Sequence, residues 1–264
     1  MRKNVLMAMS LALAGAVAVG GTAVTAQTSS GAACKDLPSW SWLKQALTDA
    51  RNADNGGLDL DMWGTLVNRD GVVCAVAFTG GSRGDQWPGS RVISAQKANT
   101  ANAFSLKGLA LSTANLYTAV QPGGSLFGLQ ESNPVSTDAA YGGNPANNGQ
   151  ANDFMVGTRI GGVNVFGGGL ALYNSSGVLV GGLGVSGDTS CADHEIAWRT
   201  RAALQLDYLK AAGAGGVSGD NDRRDNIIYD ITPQPGQMPG ISASGFGHPL
   251  CINTVDPALL PATN

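Results

Sequence analysis

Apolar residues recur with two different periods along this chain, and the changes of period mark its elements. Leu43, Ala46, Leu47 and Ala50 fall at i, i+3, i+4 and i+7, which predicts the buried face of an amphipathic helix starting near Pro38 and Ser39. The stretch GTLVNRDGVVCAVAF then reads as two β-rich runs around Asn68, Arg69, Asp70 and Gly71, a hairpin. Residues 91–109 are rich in Ala, Ser, Lys and Gln, lack Pro, and predict a second helix; 112–120 predict a shorter one that stops before Pro122. Periodicity disappears over 121–160, where Gly, Pro, Asn and Ser crowd together, and a loop of that length is functional or disordered. GGVNVFGGGLALYNSSGVLVGGLGVSGD follows as strands separated by Gly-rich turns, with a hairpin turn at 174–177. A long helix is expected over 191–211, capped by the S-x-x-D pair Ser190 and Asp193. Ile196, Ala197, Ala203, Leu204, Tyr208 and Ala211 would line its buried face. Strands arriving in adjacent pairs predict an α/β (α+β) fold, with helices flanking a central, mainly antiparallel sheet.

The chain opens with Arg2 and Lys3, the apolar run VLMAMSLALAGAVAVGG, and small residues at Val24, Thr25 and Ala26. That order predicts a secretory leader cleaved after Ala26 and a periplasmic or secreted product. The expected organisation is a leader at 1–26, a domain at 27–212 with the long loop inside it, and a C-terminal extension at 213–264. No later segment is long and apolar enough to span a bilayer. Export makes Cys34, Cys74, Cys191 and Cys251 readable as an even set in an oxidising compartment, without a C-x-x-C pair. Four cysteines allow three connectivities. Pairing sequence neighbours, Cys34–Cys74 and Cys191–Cys251, would tie a terminal segment to the body at each end, including the tail. With 16 basic against 19 acidic residues, the chain lacks the concentrated positive charge that a nucleic-acid partner needs.

Most isolated motifs reduce to structure. Gly182, Gly184 and Gly187 match G-x-G-x-x-G, but the strand before them belongs to a hairpin and no βαβ unit follows. A tight strand-to-helix turn, or a turn binding a ligand carboxylate at helix amides, fits the context better. Arg83-Gly84-Asp85 is too short to carry information, Ser186 lacks nucleophile-elbow spacing, and Asp59 and Asp61 read as a solvated loop. The histidines are more informative. His194 lies three residues after Cys191, and His248 three before Cys251. If those cysteines are bonded, with Cα atoms about 5.5 Å apart, both imidazoles share one neighbourhood with Asp193 and Glu195. A His/His/carboxylate site for iron or zinc is then geometrically possible. The positive helix terminus opposes it.

The stretches RVISAQKANTANAF, GGVNVFGGGLALY and VGGLGVSGDTSCADHEIAW, in this order, resemble the GlcG/HbpS-type haem-binding family and the C-terminal part of PduO-type proteins. The resemblance covers about residues 36–212. It implies a profilin-like antiparallel sheet flanked by helices, assembly into homo-oligomers, and binding of haem or a related tetrapyrrole. Candidate cofactor positions are Lys97 and Thr100, the run Gly167, Gly168 and Gly169, and the turn Ser186, Gly187 and Asp188. A threonine contacts haem in the family; Thr100 is the first match and Thr113 the second. The 121–160 segment and the tail exceed the minimal family domain, and no universal axial histidine can be placed. The reading is a secreted haem-sequestering protein; the alternative is an extracytoplasmic enzyme that degrades haem or acts on a small metabolite.

Overall fold

The computed structural model describes residues 31–232 and 240–264; the leader expected at 1–26 lies outside the described residues. Helix α1 (Trp40–Arg51) begins where Ser39 Oγ accepts the Trp42 N–H, and it buries Leu43, Ala46, Leu47 and Ala50 as the spacing requires. Strands β1 (Trp63–Asn68) and β2 (Val73–Phe78) form the expected hairpin. Its turn is organised by Asn68, whose Oδ1 accepts the Asp70 and Val72 N–H groups, while Gly71 supplies a φ of +75°. With β3 (Gly169–Tyr173) and β4 (Leu179–Ser186), they make one antiparallel sheet in the order β2-β1-β4-β3.

Both faces of the sheet are covered, which is why its strands are buried almost throughout rather than alternating. On one face α1 and α4 (Ser190–Ala203) pack Leu43, Leu47, Ile196 and Trp198 against Leu66, Leu172, Leu183 and Val185. On the other lies α2 (Ser90–Phe104), with Val92, Ala95 and Ala98 against Trp63, Val67 and Val76. Gly182 and Gly184 of β4 face α2 so closely that a Cβ on either would overlap a helix carbonyl oxygen, that of Ala98 or Ser94. Two of the three glycines that imitate a nucleotide fingerprint are therefore a helix-docking surface, while Gly187 abuts the backbone of Asp61.

Three sequence expectations shorten. The 91–109 helix ends at Phe104, because Ser105 turns extended and its Oγ accepts the Leu111 N–H. Residues 112–120 form two 3-10 turns, Thr113–Leu116 and Thr118–Val120. The 191–211 helix stops at Ala203, Gln205 takes a φ of +56°, and a short α5 (Leu209–Ala212) restarts the chain. Ala203 and Ala211 are consequently exposed, and Leu209 takes the buried place. The α4 cap is Thr189 rather than Ser190. The 121–160 segment contains α3 (Thr137–Tyr141) and a 3-10 turn, Pro145–Asn147. Asp153 holds it down. Its buried carboxylate pairs with Arg91 and accepts the Gly149 and Met155 N–H groups. Thr158 and Gly157 then bond Val73 at the start of the outer edge of β2.

Both disulfides pair sequence neighbours, Cys34–Cys74 and Cys191–Cys251, with Cα separations of 5.6 and 6.0 Å. The C-terminal segment returns across α4. Trp198 Nε1 donates to Pro261 O, and Asp225 forms an ion pair with Arg201. No helix among the described residues is long and apolar enough to cross a membrane.

Candidate functional site

The N-terminal turn of α4 meets α2, the entry to β3 and the C-terminal segment, and most of the sequence-derived site residues gather there. Lys97 projects from α2 to Asp193 Oδ2 at 2.7 Å and to Val185 O at 3.1 Å. Asp193 Oδ1 accepts the Gly187 and Asp188 N–H groups, both at 2.9 Å. Burial pushes the Asp193 carboxyl up to about 6, with Lys97 drawing it the other way. This carboxylate is the hub that shapes the 186–189 turn, a role the capping reading of Asp193 did not anticipate.

The glycine run serves close approach. Gly167 abuts the Ser190 carbonyl and the His194 side chain, Gly168 abuts Val185 O and Lys97, and Gly169 abuts Thr113. Thr113 Oγ1 donates to Phe166 O at 2.5 Å and accepts the Gly169 N–H at 2.8 Å. Thr100 lies farther along α2, where its hydroxyl donates to Gln96 O and accepts the Asn164 N–H. Ser186 bonds Ser90, and Asp188 accepts the N–H groups of Leu58, Leu60 and Thr189. Every one of these side chains is buried and partnered by protein groups. Lys97, Gly167, Gly168, Gly169, Thr113, Gly187 and Asp188 cluster around the α4 start; Thr100 and Ser186 bond elsewhere.

His194 and His248 both border Gly167, yet they face different partners. His194 Nε2 lies 3.2 Å from both Asn226 Oδ1, to which it donates in one tautomer, and the Ile227 N–H, from which it accepts in the other; Nδ1 is buried without a hydrogen-bond partner. His248 Nδ1 donates to Pro249 O at 2.8 Å, and its Nε2 accepts the Gly167 N–H at a long 3.4 Å. Tyr117 and Phe166 flank this ring cluster: Tyr117 lies 5.2 Å from His248 and 6.0 Å from Phe166, centroid to centroid. Phe166 is exposed, as is Leu250. Asp193 is committed to Lys97 and the turn amides, and the two histidines are not drawn with it into one ligand set. Tyr117 sits in no motif, and Phe166, although inside the GGVNVFGGGLALY stretch, has nothing in the sequence to single it out beside the glycines that follow it; only the fold brings the two rings to the His248 cluster.

Burial drives both imidazoles toward neutrality, His194 to about 3 and His248 to about 4, whereas burial raises Glu195 to about 8. Both Glu195 carboxyl oxygens are buried without a hydrogen-bond partner. The linkage signs are opposite. The unfolded chain binds more protons at its histidines below about pH 6.5, so stability falls as pH drops toward 4. The folded chain keeps the Glu195 proton that the unfolded chain has lost, so stability falls again as pH rises to about 8. Urea unfolding should therefore show a maximum near pH 6. The net drop between pH 6.5 and 8 should be roughly 1 kcal/mol, the Glu195 loss being partly offset by the unfolded histidines shedding their protons, and Glu195→Gln should remove that limb alone. An alkaline limb unchanged in Glu195→Gln would refute the assignment.

The fold and site define a class: a four-stranded antiparallel sheet between helices, whose glycine-rich β3–β4 pair and following helix start enclose a buried polar junction. Residues 59–202 match the HbpS-like family, described as haem degrading protein HbpS-like, and the chain belongs to that family. No curated protein matches it. Similar solved structures include a PduOC–haem complex, 25% identical, with 63% of this chain and 91% of that one covered at a TM-score of 0.43. The Klebsiella pneumoniae protein ORFY is 22% identical, covering 62% and 87% at a TM-score of 0.41. HbpS itself is 18% identical, covering 62% and 86% at 0.39.

Proposed function

We propose that this chain is an exported protein that binds haem or a related tetrapyrrole and sequesters it, assembling as a homo-oligomer. Family membership across residues 59–202 carries the reading. The two disulfides agree with an oxidising compartment. The residues at the β3 entry suit a planar iron ligand. Phe166 offers an exposed ring face beside Tyr117, apolar surface of the kind that holds a macrocycle. His248 is neutral at pH 7, and the lone pair on Nε2 is engaged only by the long Gly167 contact. It would therefore be the imidazole to hold the iron, since an imidazole must be neutral to bind iron. Bound haem would supply the iron and its redox chemistry; the protein would supply the ring face of Phe166 and the His248 imidazole.

The second reading, haem degradation, is favoured by the description of the family itself. Titration of the oxidised chain with haem should give a saturable Soret shift at micromolar affinity or tighter, on the order of −8 kcal/mol. His248→Ala should move the Soret maximum and Phe166→Ala should weaken binding without moving it. A reductant is then added under air. A persistent band supports sequestration, and decay with release of an open-chain product supports degradation. Absence of a saturable shift overturns both.

A further inference from the structure

The Cys191–Cys251 disulfide does not stand alone. One ligand atom each from Cys191, His248 and Cys251 lies within 4.8 Å of the others. Cys191 is in the first turn of α4, and its N–H donates to Cys251 Sγ at 3.2 Å, with the Ser190 hydroxyl 3.7 Å from the same sulfur. These contacts stabilise negative charge on Cys251 once it is a thiolate. Cys191 is fully buried, whereas Cys251 is half-buried and can be reached by a small thiol.

We propose that this cluster is a redox-gated zinc site, closed as the disulfide and opened by a dithiol reductant to a Cys/Cys/His set. In the reductive step the dithiol attacks the disulfide and leaves as its own cyclic disulfide. Two electrons and two protons pass to Cys191 and Cys251. Zinc then displaces both thiol protons into solvent, and the two thiolates and the His248 imidazole hold it. A tetrahedral zinc with about 2.3 Å zinc–sulfur bonds places two thiolates about 3.8 Å apart, inside the span of the present cluster. Three protein ligands leave a fourth position for water. Two thiolates also answer the objection that a helix N-terminus repels a cation: they bring two negative charges to one divalent ion, and the terminus stabilises those charges. The site is independent of the haem reading, although both use His248, so zinc and an axial iron would compete for it.

The test uses the full chain without haem. It is reduced with dithiothreitol, freed of reductant by anaerobic gel filtration, and titrated with cobalt(II) as a spectroscopic substitute for zinc. We expect one equivalent bound with thiolate-to-cobalt charge transfer and tetrahedral d–d bands, displaced by zinc, and nothing comparable before reduction. His248→Gln should keep the charge transfer and weaken cobalt by roughly tenfold or more, since losing a ligand costs no less than losing its outer-shell support. Cys191→Ser/Cys251→Ser should abolish the bands although Cys34 and Cys74 remain. Survival of the bands in that double variant, indifference to His248→Gln, or cobalt uptake only with loss of near-ultraviolet circular dichroism would each overturn the proposal.

Discussion

Asp225→Ala is expected to destabilise the protein by roughly 3–5 kcal/mol, the cost of leaving a buried charge without its partner. Arg201 and Asp225 are both completely buried, and the pair is bidentate, with Nη1 to Oδ2 at 2.6 Å and Nη2 to Oδ1 at 2.9 Å. The guanidinium also donates to Ala171 O and stacks 4.5 Å over Trp198. Without Asp225 the arginine cannot escape by losing its proton. Lys97 and Asp193 differ, because the Asp193 carboxyl already sits near 6 and can be neutralised on a small change of surroundings. Asp225 also ties the C-terminal segment to α4 and β3, so its loss should loosen the chain that places Asn226, His248 and Cys251. Urea unfolding at unchanged m should show the fall in midpoint, and limited proteolysis should show new cleavage near 213–232. Arg201→Met/Asp225→Ala should recover part of the loss, since it removes both charges. An Asp225→Ala midpoint within about 1 kcal/mol of the parent would show that water, not protein, satisfies Arg201.

How far the sequence reveals this protein depends on the range of the interaction concerned. The α1 face, both hairpins and the sheet type follow from local periodicity and turn chemistry, and these agree with the structure. Helix ends did not follow. Ser105 stops α2 by a hydroxyl contact to Leu111, and Gln205 stops α4 by adopting a left-handed conformation that its side chain does not announce. The long loop looked featureless because what orders it is one carboxylate, Asp153, reaching Arg91 on another element. In the candidate site, Lys97 and Gly167 to Gly169 were singled out by resemblance, and the structure explains each by packing at one junction. Asp193, Asn226, Tyr117 and Phe166 belong to the same junction. No spacing in the chain links them, because four separate segments deliver them.

Gly184→Ala should be the most damaging single-methyl change in the sheet. Its new Cβ would overlap the Ser94 carbonyl oxygen of α2, and a backbone atom in mid-helix cannot swing aside. Either α2 moves off β4 or β4 bends, and overpacking of this kind costs typically 1–3 kcal/mol; here the upper end is expected. The displacement has a specific target, because Lys97 rides on α2 and reaches Val185 O at 3.1 Å on the same strand. Gly64→Ala is the matched control. Its Cβ would meet the end of the Leu47 side chain at 2.9 Å, a group that can change rotamer. Both positions sit in strands, so the stabilising effect of replacing a flexible glycine, about 0.4–1 kcal/mol through the unfolded chain, should be similar in the two variants and cancel in the comparison. Gly64→Ala should therefore lie within about 1 kcal/mol of the parent, with Gly184→Ala well below it in the same urea titration. Equal midpoints for the two variants would mean that α2 can retreat from β4 at no cost, and that the glycines of β4 serve something other than helix docking.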